Sequence, residues 1–350
     1  MAIQTQRRLN GRLFLYAAPI RGRVDKEQPK RYALIGSNRL VSFKKINTKV
    51  RPLKTTRWPN PPERHNMNEI LMRENLAENV VRMRVHAPVI AKKRRAGQFI
   101  IFRTFAEKSE RIPLTIADAD PDEGSITLVF QVVGKSTAEL ADLKAGDRIH
   151  DLVGPLGKPT HVEKFGHVVC IGGGIGIAPL HPIAQAMKAA GNKVTSILGA
   201  RTKELLIMED EMKKASNDLI IVTDDGSYGK QGFVTNALEE LISSEKPDLV
   251  VAIGPAIMMK MVCKVTKPHE VPTVVSLNTI MVDGTGMCGS CRVSVDNRMR
   301  FVCVDGPEFD GHKVDFDEMM KRQATYVPQE KISYEKYKSK GCCSNCTCEN

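Results

Sequence analysis

The sequence predicts a mixed α/β plus all-β chain: an antiparallel barrel, then a parallel-sheet domain, then a small C-terminal module. Three observations carry this expectation. Residues 69–153 hold short apolar or alternating runs separated by Gly, Pro, Asp and Asn. Residues 166–275 alternate strand-like with helix-like stretches. Residues 276–310 concentrate cysteine and glycine. A chain of 350 residues with 42% apolar side chains can bury the cores of two or three domains. No run approaches the roughly 18 apolar residues of a spanning helix, and Met1–Gln6 lacks the pattern of a secretory signal. A cytoplasmic, reducing setting with no membrane partner is therefore expected. The nine cysteines read first as metal ligands or thiols rather than as disulfides.

The net charge of +12 is unevenly spread. Residues 1–66 contain 16 Lys+Arg and 3 Asp+Glu, which leaves 36 basic and 37 acidic residues for 67–350, a net of −1. The main body is neutral, which argues against nucleic acid as its partner. Residues 1–66 read as a basic extension that closes on a Pro-rich stretch at 57–62. Such a segment is a disordered or artefactual extension, with translation starting at Met67, or an arm for an acidic partner or for RNA.

Within 67–160 the runs 70–72, 80–85, 98–102, 126–133 and 148–153 predict the strands of a closed antiparallel barrel. Arg111, Pro113, Leu114 and Thr115 lie on one strand, and Gly134, Ser136 and Thr137 form a turn that opens a helix. An arginine plus hydroxyls beside a helix start suit a pyrophosphate. A surface arginine and an ordinary helix cap explain the same letters.

Residues 165–275 form the second domain. The buried run 167–171 meets Gly172, Gly173, Gly174 and Gly176, and a helix-like stretch follows at 183–190. Strand-like 193–198, helix-like 206–215, strand-like 219–223, helix-like 233–243 and strand-like 249–253 come next. Alternation at this spacing means crossover units and a parallel sheet. Backbone N–H groups of the glycine loop, with the positive helix end, are where a dinucleotide pyrophosphate would sit; a plain packing turn is the other reading. Pro179 falls where a helix would continue, and the next strand ends in Gly199-Ala200-Arg201 rather than in an acidic residue. Arg201 could face a phosphate, so NAD(H) and NADP(H) both stay open.

The most specific pattern is Asp283-x4-Cys288-x2-Cys291-x11-Cys303. It reproduces the ligand spacing of plant-type [2Fe-2S] sites with Asp in the first position. Gly284, Gly286 and Gly289 let backbone N–H groups approach inorganic sulfide without an intervening Cβ. A hairpin around Asp296-Asn297 would return Cys303 to the loop. Zinc sites more often pair C-x2-C with a second close pair, which Cys303 lacks. Asp283 is either a carboxylate ligand or a turn residue. Residues 311–350 read as a polar tail ending in Cys342, Cys343, Cys346 and Cys348. Cys170 and Cys263 read as small core residues.

In this order the three constellations resemble the ferredoxin reductase-like flavoprotein superfamily, over residues 67–310. Arg111-x-Pro113-Leu114-Thr115 looks like its flavin motif, with Leu114 where plant-type reductases carry an aromatic. That departure matches the branch of the dihydroorotate dehydrogenase electron-transfer subunit. Gly174-x-Gly176-x-Ala178-Pro179, Asp225-Gly226-Ser227-x-Gly229 and Gly254-Pro255-x-x-Met258 look like its nucleotide-domain motifs. Asp283 followed by Cys288, Cys291, Cys303 and 305–309 is similar to the small subunits of NADH-dependent reduced ferredoxin:NADP+ oxidoreductases.

The resemblance implies an FAD-binding barrel, an NAD(P)-binding domain and a [2Fe-2S] module that pass electrons from NAD(P)H to a larger flavin and iron–sulfur subunit. Ferredoxin would be reached through that partner. Two rivals remain: the electron-transfer subunit of a dihydroorotate dehydrogenase, and a zinc-stabilised nucleotide-binding module with an RNA-gripping arm.

Overall fold

The computed structural model describes residues 8–9, 12–13, 67–105 and 109–343. The chain falls into two units, Met1–Pro59 and Asn60–Asn350. In the first, β1 (Arg8–Leu9) pairs antiparallel with β2 (Arg12–Leu13). The rest of the expected basic extension lies outside the described residues, as do Cys346, Cys348 and the side chains of Cys342 and Cys343. Among the described residues no helix is long and apolar enough to cross a membrane.

The second unit begins with six antiparallel strands: β3 (Ile70–Ala77), β4 (Val80–His86), β5 (Phe99–Arg103), β6 (Ile112–Asp120), β7 (Ser125–Gln131) and β8 (Asp151–Leu156). Their order is β3-β4-β7-β6-β5-β8. The ring closes because Ile70 N–H donates to the Asp147 carbonyl at 2.9 Å and Ile149 N–H to the Asn68 carbonyl at 3.0 Å. These bonds satisfy edges that would otherwise be left open. Met83, Ile100, Phe102, Ile126, Leu128 and Phe130 fill the interior. Two short helices, α1 (Pro88–Lys93) and α2 (Lys135–Ala141), attach to the ring.

The next sheet contains β9 (His167–Gly173), β10 (Lys193–Ala200), β11 (Asp218–Thr223), β12 (Lys230–Gln231), β13 (Leu249–Ile253) and β14 (Thr273–Ser276). All their pairings are parallel. The crossovers include α3 (Ile177–Ala189), α4 (Glu209–Ala215), α5 (Val234–Ser244) and α6 (Ala256–Thr266). Helix α3 starts six residues before the expected stretch. Pro179 occupies its first turn, where no intrahelical N–H bond is made anyway, so proline there does not stop the helix. Helix α4 starts three residues later than expected because Leu206 is extended and Met208 takes a left-handed conformation at φ 55°.

The remaining elements are the hairpin β15 (Arg292–Val295) and β16 (Arg298–Phe301), the single turn α7 (Val302–Asp305), then β17 (Glu308–Asp310), α8 (Phe316–Gln323) and α9 (Val327–Cys343). Asp296 and Asn297 both take positive φ at the hairpin turn, as the sequence predicts. Strand β17 returns to pair antiparallel with β14, so the large sheet reads β12-β11-β10-β9-β13-β14-β17. The stretch read as a polar tail is therefore helical in 316–323 and 327–343. Phe316 and Met319 pack in the same core as Cys291 and Cys303.

Strand order reverses between β9 and β13, and a crevice opens outside their carboxyl ends. There the chain turns into α3 within van der Waals contact of β13: a Cβ on Gly176 would lie 2.3 Å from the Ile253 carbonyl oxygen. Gly174 faces open space but sits at φ +54°. Gly176→Ala should therefore displace backbone and cost about 1–3 kcal/mol or more, against about 1–2 kcal/mol for the left-handed alanine in Gly174→Ala. Urea unfolding of both variants checks the order; a larger loss in Gly174→Ala would refute the packing account.

Candidate functional site

Three groups of residues meet around strand β5. Its side chains alternate: Ile100 and Phe102 point into the barrel, whereas Phe99 and Ile101 join the core that contains Cys291 and Cys303. On β6, Ile101 is in register with Pro113 and Phe99 with Thr115. Pro113 and Thr115 thus share the outer face with Phe99 and Ile101. Leu114 turns the other way and packs on the barrel interior, so it can offer a ligand only its backbone. Strand alternation dictates this.

Arg111 is exposed at the mouth of this face, with Nη2 3.6 Å from Asp151 Oδ2; Arg103 holds the same oxygen at 2.6 Å. Across the barrel surface the turn at Gly134 opens α2. Thr137 Oγ1 accepts from the N–H groups of Val133 at 3.1 Å and Gly134 at 3.2 Å and donates to the Gly134 carbonyl at 3.0 Å. Its hydroxyl is thus committed as a cap, the plainer of the two readings.

At the crevice, Gly172 and Gly173 end β9, and a Cβ on Gly173 would lie 2.4 Å from Met258 Sδ and 3.3 Å from Pro255 Cδ. A Cβ on Gly254 would lie 2.7 Å from Met258 Cε. Gly173, Gly176, Gly254, Pro255 and Met258 therefore converge. Asp225 N–H donates to the Arg201 carbonyl at 3.3 Å, which puts these two exposed residues side by side beyond β10 and β11. The Asp225 carboxylate accepts from Ser227 N–H at 3.0 Å and Oγ at 2.7 Å, and these bonds hold it below the usual carboxylate range. Lys203 and Tyr228, which the sequence reading passed over, border the same corner, with Lys203 Nζ 5.1 Å from the Tyr228 ring centre.

The cysteine loop lies on the outer face of β5. Gly284, Gly286 and Gly289 take φ of +81°, +87° and +67°. A Cβ on Gly284 would lie 2.7 Å from Ile101 Cγ1 and 2.9 Å from Leu156 Cδ1, so only glycine lets the loop touch the barrel wall. Cys291 and Cys303 are buried, with Sγ atoms 3.2 Å apart and no disulfide. Burial, together with Cys291, pushes the Cys303 thiol up to about 12. Cys288 is exposed, and bonds from the Ser290 hydroxyl and nearby N–H groups lower its pKa. Asp283 Oδ2 accepts from Thr285 N–H at 2.9 Å and Met287 N–H at 3.2 Å, and also from the Thr285 hydroxyl. These bonds, Thr285 first, lower the carboxyl's pKa, and the charge of Arg111 adds to them from the barrel side.

Of the expected ligands the structure brings Cys291 and Cys303 into contact, and among the described residues no three His, Cys, Asp or Glu side chains are grouped closely enough to hold a metal ion. Two buried thiols in contact resist ionisation unless a metal supplies compensating charge. With Oδ2 spent on the turn, iron ligation by Asp283 would fall to Oδ1. Cys170 and Cys263 are buried free thiols raised to about 12 and sit in cores, as expected.

Known proteins bear on the two best-formed parts. Residues 170–264 match the oxidoreductase NAD-binding domain, and residues 278–315 match the iron–sulfur cluster binding domain of dihydroorotate dehydrogenase B. A Thermotoga maritima protein described as a homolog of the dihydroorotate dehydrogenase B (NAD(+)) electron transfer subunit is 53% identical over 271 residues. That alignment spans 77% of this chain and 95% of the relative. The electron transfer subunit of Streptococcus mutans dihydroorotate dehydrogenase B (NAD(+)) is 31% identical over 262 residues, 73% of this chain and 99% of its own. A solved chain of the NADH-dependent reduced ferredoxin–NADP oxidoreductase, a structure that addresses flavin-based electron bifurcation, is 52% identical. It superposes with a TM-score of 0.74 over 77% of this chain and 98% of that one. The chain is an oxidoreductase component and belongs to the family of dihydroorotate dehydrogenase B electron-transfer subunits.

Proposed function

We propose that the chain passes electrons between NAD(P)H, FAD and a [2Fe-2S] cluster and delivers them to a larger partner subunit, in the manner of the small subunit of a ferredoxin:NADP+ oxidoreductase. One observation carries the reading: Gly284 of the cysteine loop rests on Ile101, whose register partner is Pro113 of the flavin motif. A group on the outer face of β5 and β6 and a cluster in that loop would be separated by little more than one side chain. A nicotinamide gives up two electrons as hydride, a [2Fe-2S] cluster takes one, and a flavin is stable at both stages.

The residues of the chain position and tune. Pro113 and Thr115, held in register by the buried Phe99 and Ile101, form the wall for a flavin ring, and Arg111, Gly134 and Ser136 face its phosphates, whereas Thr137 shapes the turn. Gly172, Gly173, Gly174 and Gly176 offer backbone N–H groups at the crevice, with Gly254, Pro255 and Met258 as its far wall. Pro179 starts the helix behind the loop, and Arg201 and Asp225 border the ribose end. Asp283, Cys288, Cys291 and Cys303 hold iron. Around Cys288 the surface is apolar and exposed, with Met287 86% exposed and Val282 50% exposed, which suits a protein partner covering the cluster edge. Identity of 52% to the ferredoxin–NADP oxidoreductase chain, against 31% to the Streptococcus mutans dihydroorotate dehydrogenase B subunit, supports that assembly over a dihydroorotate-oxidising one, where the partner would select the substrate.

Protein purified without air should show flavin bands on a broad cluster absorption and contain iron; zinc in a colourless protein would sink the proposal. NADH should bleach the flavin. Cys303→Ser should lose at least about tenfold in iron while keeping flavin, because a neutral hydroxyl cannot replace a buried thiolate. Arg111→Ala should weaken flavin retention by about 1.5–3 kcal/mol, the usual worth of a hydrogen bond to a charged group; equilibrium dialysis measures it. Asp283→Cys should retain iron and shift the midpoint potential, whereas an unchanged potential would show that the carboxylate is not a ligand.

A further inference from the structure

One carboxyl has no task in electron transfer. Glu308 stands on β17 opposite Ser276 of β14 and is partly buried. Its Oε1 accepts a hydrogen bond from the Thr160 hydroxyl at 2.5 Å. Around it, the barrel, the segment that leaves the barrel and the edge of the large sheet are stitched together. Thr160 N–H donates to the Ala96 carbonyl at 2.9 Å, Lys158 N–H to the Gly306 carbonyl at 2.7 Å, and Gln98 Nε2 to the Gly157 carbonyl at 2.9 Å. Gly97, at φ +80°, makes room: a Cβ there would lie 2.4 Å from Thr160 Oγ1 and 2.5 Å from Glu308 Oε1.

Among the described residues no cation pairs with Glu308. Loop 94–98 carries Arg94, which is held by Asp118 at 2.9 Å, and Arg95. The segment 157–163 carries Lys158, together with His161 and Glu163, which pair at 3.2 Å. Strand β17 carries Asp310, paired with Lys313 at 3.1 Å. Strand β9 contributes Cys170, whose thiol is raised by burial and by the charge of Glu308. Burial raises the Glu308 carboxyl from 4.5 to about 7, against the Thr160 hydrogen bond, which lowers it.

We propose that Glu308 is a positioning residue at the joint between barrel and parallel sheet: neutral, it keeps segment 157–160 seated on loop 94–98, and ionised, it loosens that seat. A neutral carboxyl accepts from the Thr160 donor and carries no charge that must be solvated. A carboxylate demands several donors or water, and the packed joint supplies neither unless it opens. The consequence for catalysis rests on the electron-transfer reading, since the same joint packs Gly157 against Phe99 of β5 and against Pro307: a Cβ on Gly157 would lie 2.7 Å from Phe99 Cε1 and 3.0 Å from Pro307 Cδ.

The sign follows from proton binding. The closed joint keeps its proton up to about pH 7, whereas an opened one loses it near 4.5. Opening should therefore become easier by up to about tenfold per pH unit from roughly 5 to 7 and level off above.

Amide hydrogen exchange in segments 94–98 and 157–160 of the full chain, corrected for the intrinsic pH dependence of exchange, reads this directly. Glu308→Gln should stay flat across the window with wild-type protection at its acid end. Thr160→Val, which removes a donor that favours the carboxylate, should move the levelling-off to higher pH. The same pH response in wild type and Glu308→Gln would overturn the proposal, as would an unmoved plateau in Thr160→Val; the latter arm decides if Glu308→Gln does not fold. Exchange is read without turnover. A flavin- and iron-loaded protein with no pH difference sinks the joint alone, and a colourless protein that keeps the difference sinks only the electron-transfer reading.

Discussion

The arrangement depends on one strand that faces two cores. Residues 99–102 are buried on both sides. Period-two alternation sends Ile100 and Phe102 into the barrel and Phe99 and Ile101 into the core shared with the large sheet and the cysteine module. Burying each such side chain contributes about 1.5–3 kcal/mol, so β5 is anchored from both faces and cannot slip register without exposing one set. Proximity between the flavin wall and the cysteine loop is thus a by-product of packing. Pro113 and Thr115 are fixed because their register partners are core residues, and Gly284 is fixed because it rests on one of them.

Burial divides the three cysteines into two kinds. Cys291 and Cys303 lie inside the core that β5 helps to build, and their ionisation is opposed until a cation arrives. Cys288 lies at the surface among donors that already favour its thiolate. Metal capture in such a site is expected to begin at the outer sulfur and to finish by drawing the inner pair into ionised form, with proton release. Asp283 sits on the Arg111 side of the loop, where positive charge from the barrel stabilises a carboxylate. Arg111 and Asp283 are therefore electrostatically coupled before any cofactor is considered.

Much of this was legible in the sequence, for identifiable reasons. The Asp283 to Cys303 spacing is local, so its hairpin return could be read from 292–301 and the turn at Asp296-Asn297. The strand–helix alternation of 166–275 is likewise local, and the parallel sheet followed. What escaped depends on long-range pairing. Nothing in the three residues of β17 announces that they will extend a sheet begun more than a hundred residues earlier, and β14 is a short run after a proline. Helix α3 was placed too late because Pro179 looks like a breaker, although it sits where a helix tolerates proline. Leu114 was grouped with its neighbours by motif, whereas alternation along β6 separates it from them.

The joint around Thr160 and Gly97 shows why such features stay hidden. Its parts lie at 96–98, 157–160, 170 and 306–308, and each is bland alone: a glycine in a turn, a threonine in a linker, a buried thiol, an acidic residue near a proline. Only the fold brings them together, and only their shared lack of a cation makes the carboxyl unusual. The cysteine loop has the opposite character, since its chemistry is written in consecutive residues and the fold merely supplies a wall. Local motifs thus carry the family's residue patterns, while dispersed contacts set how the barrel and the parallel sheet meet. Substitution in the dispersed set should alter geometry and its pH response before it alters what is bound.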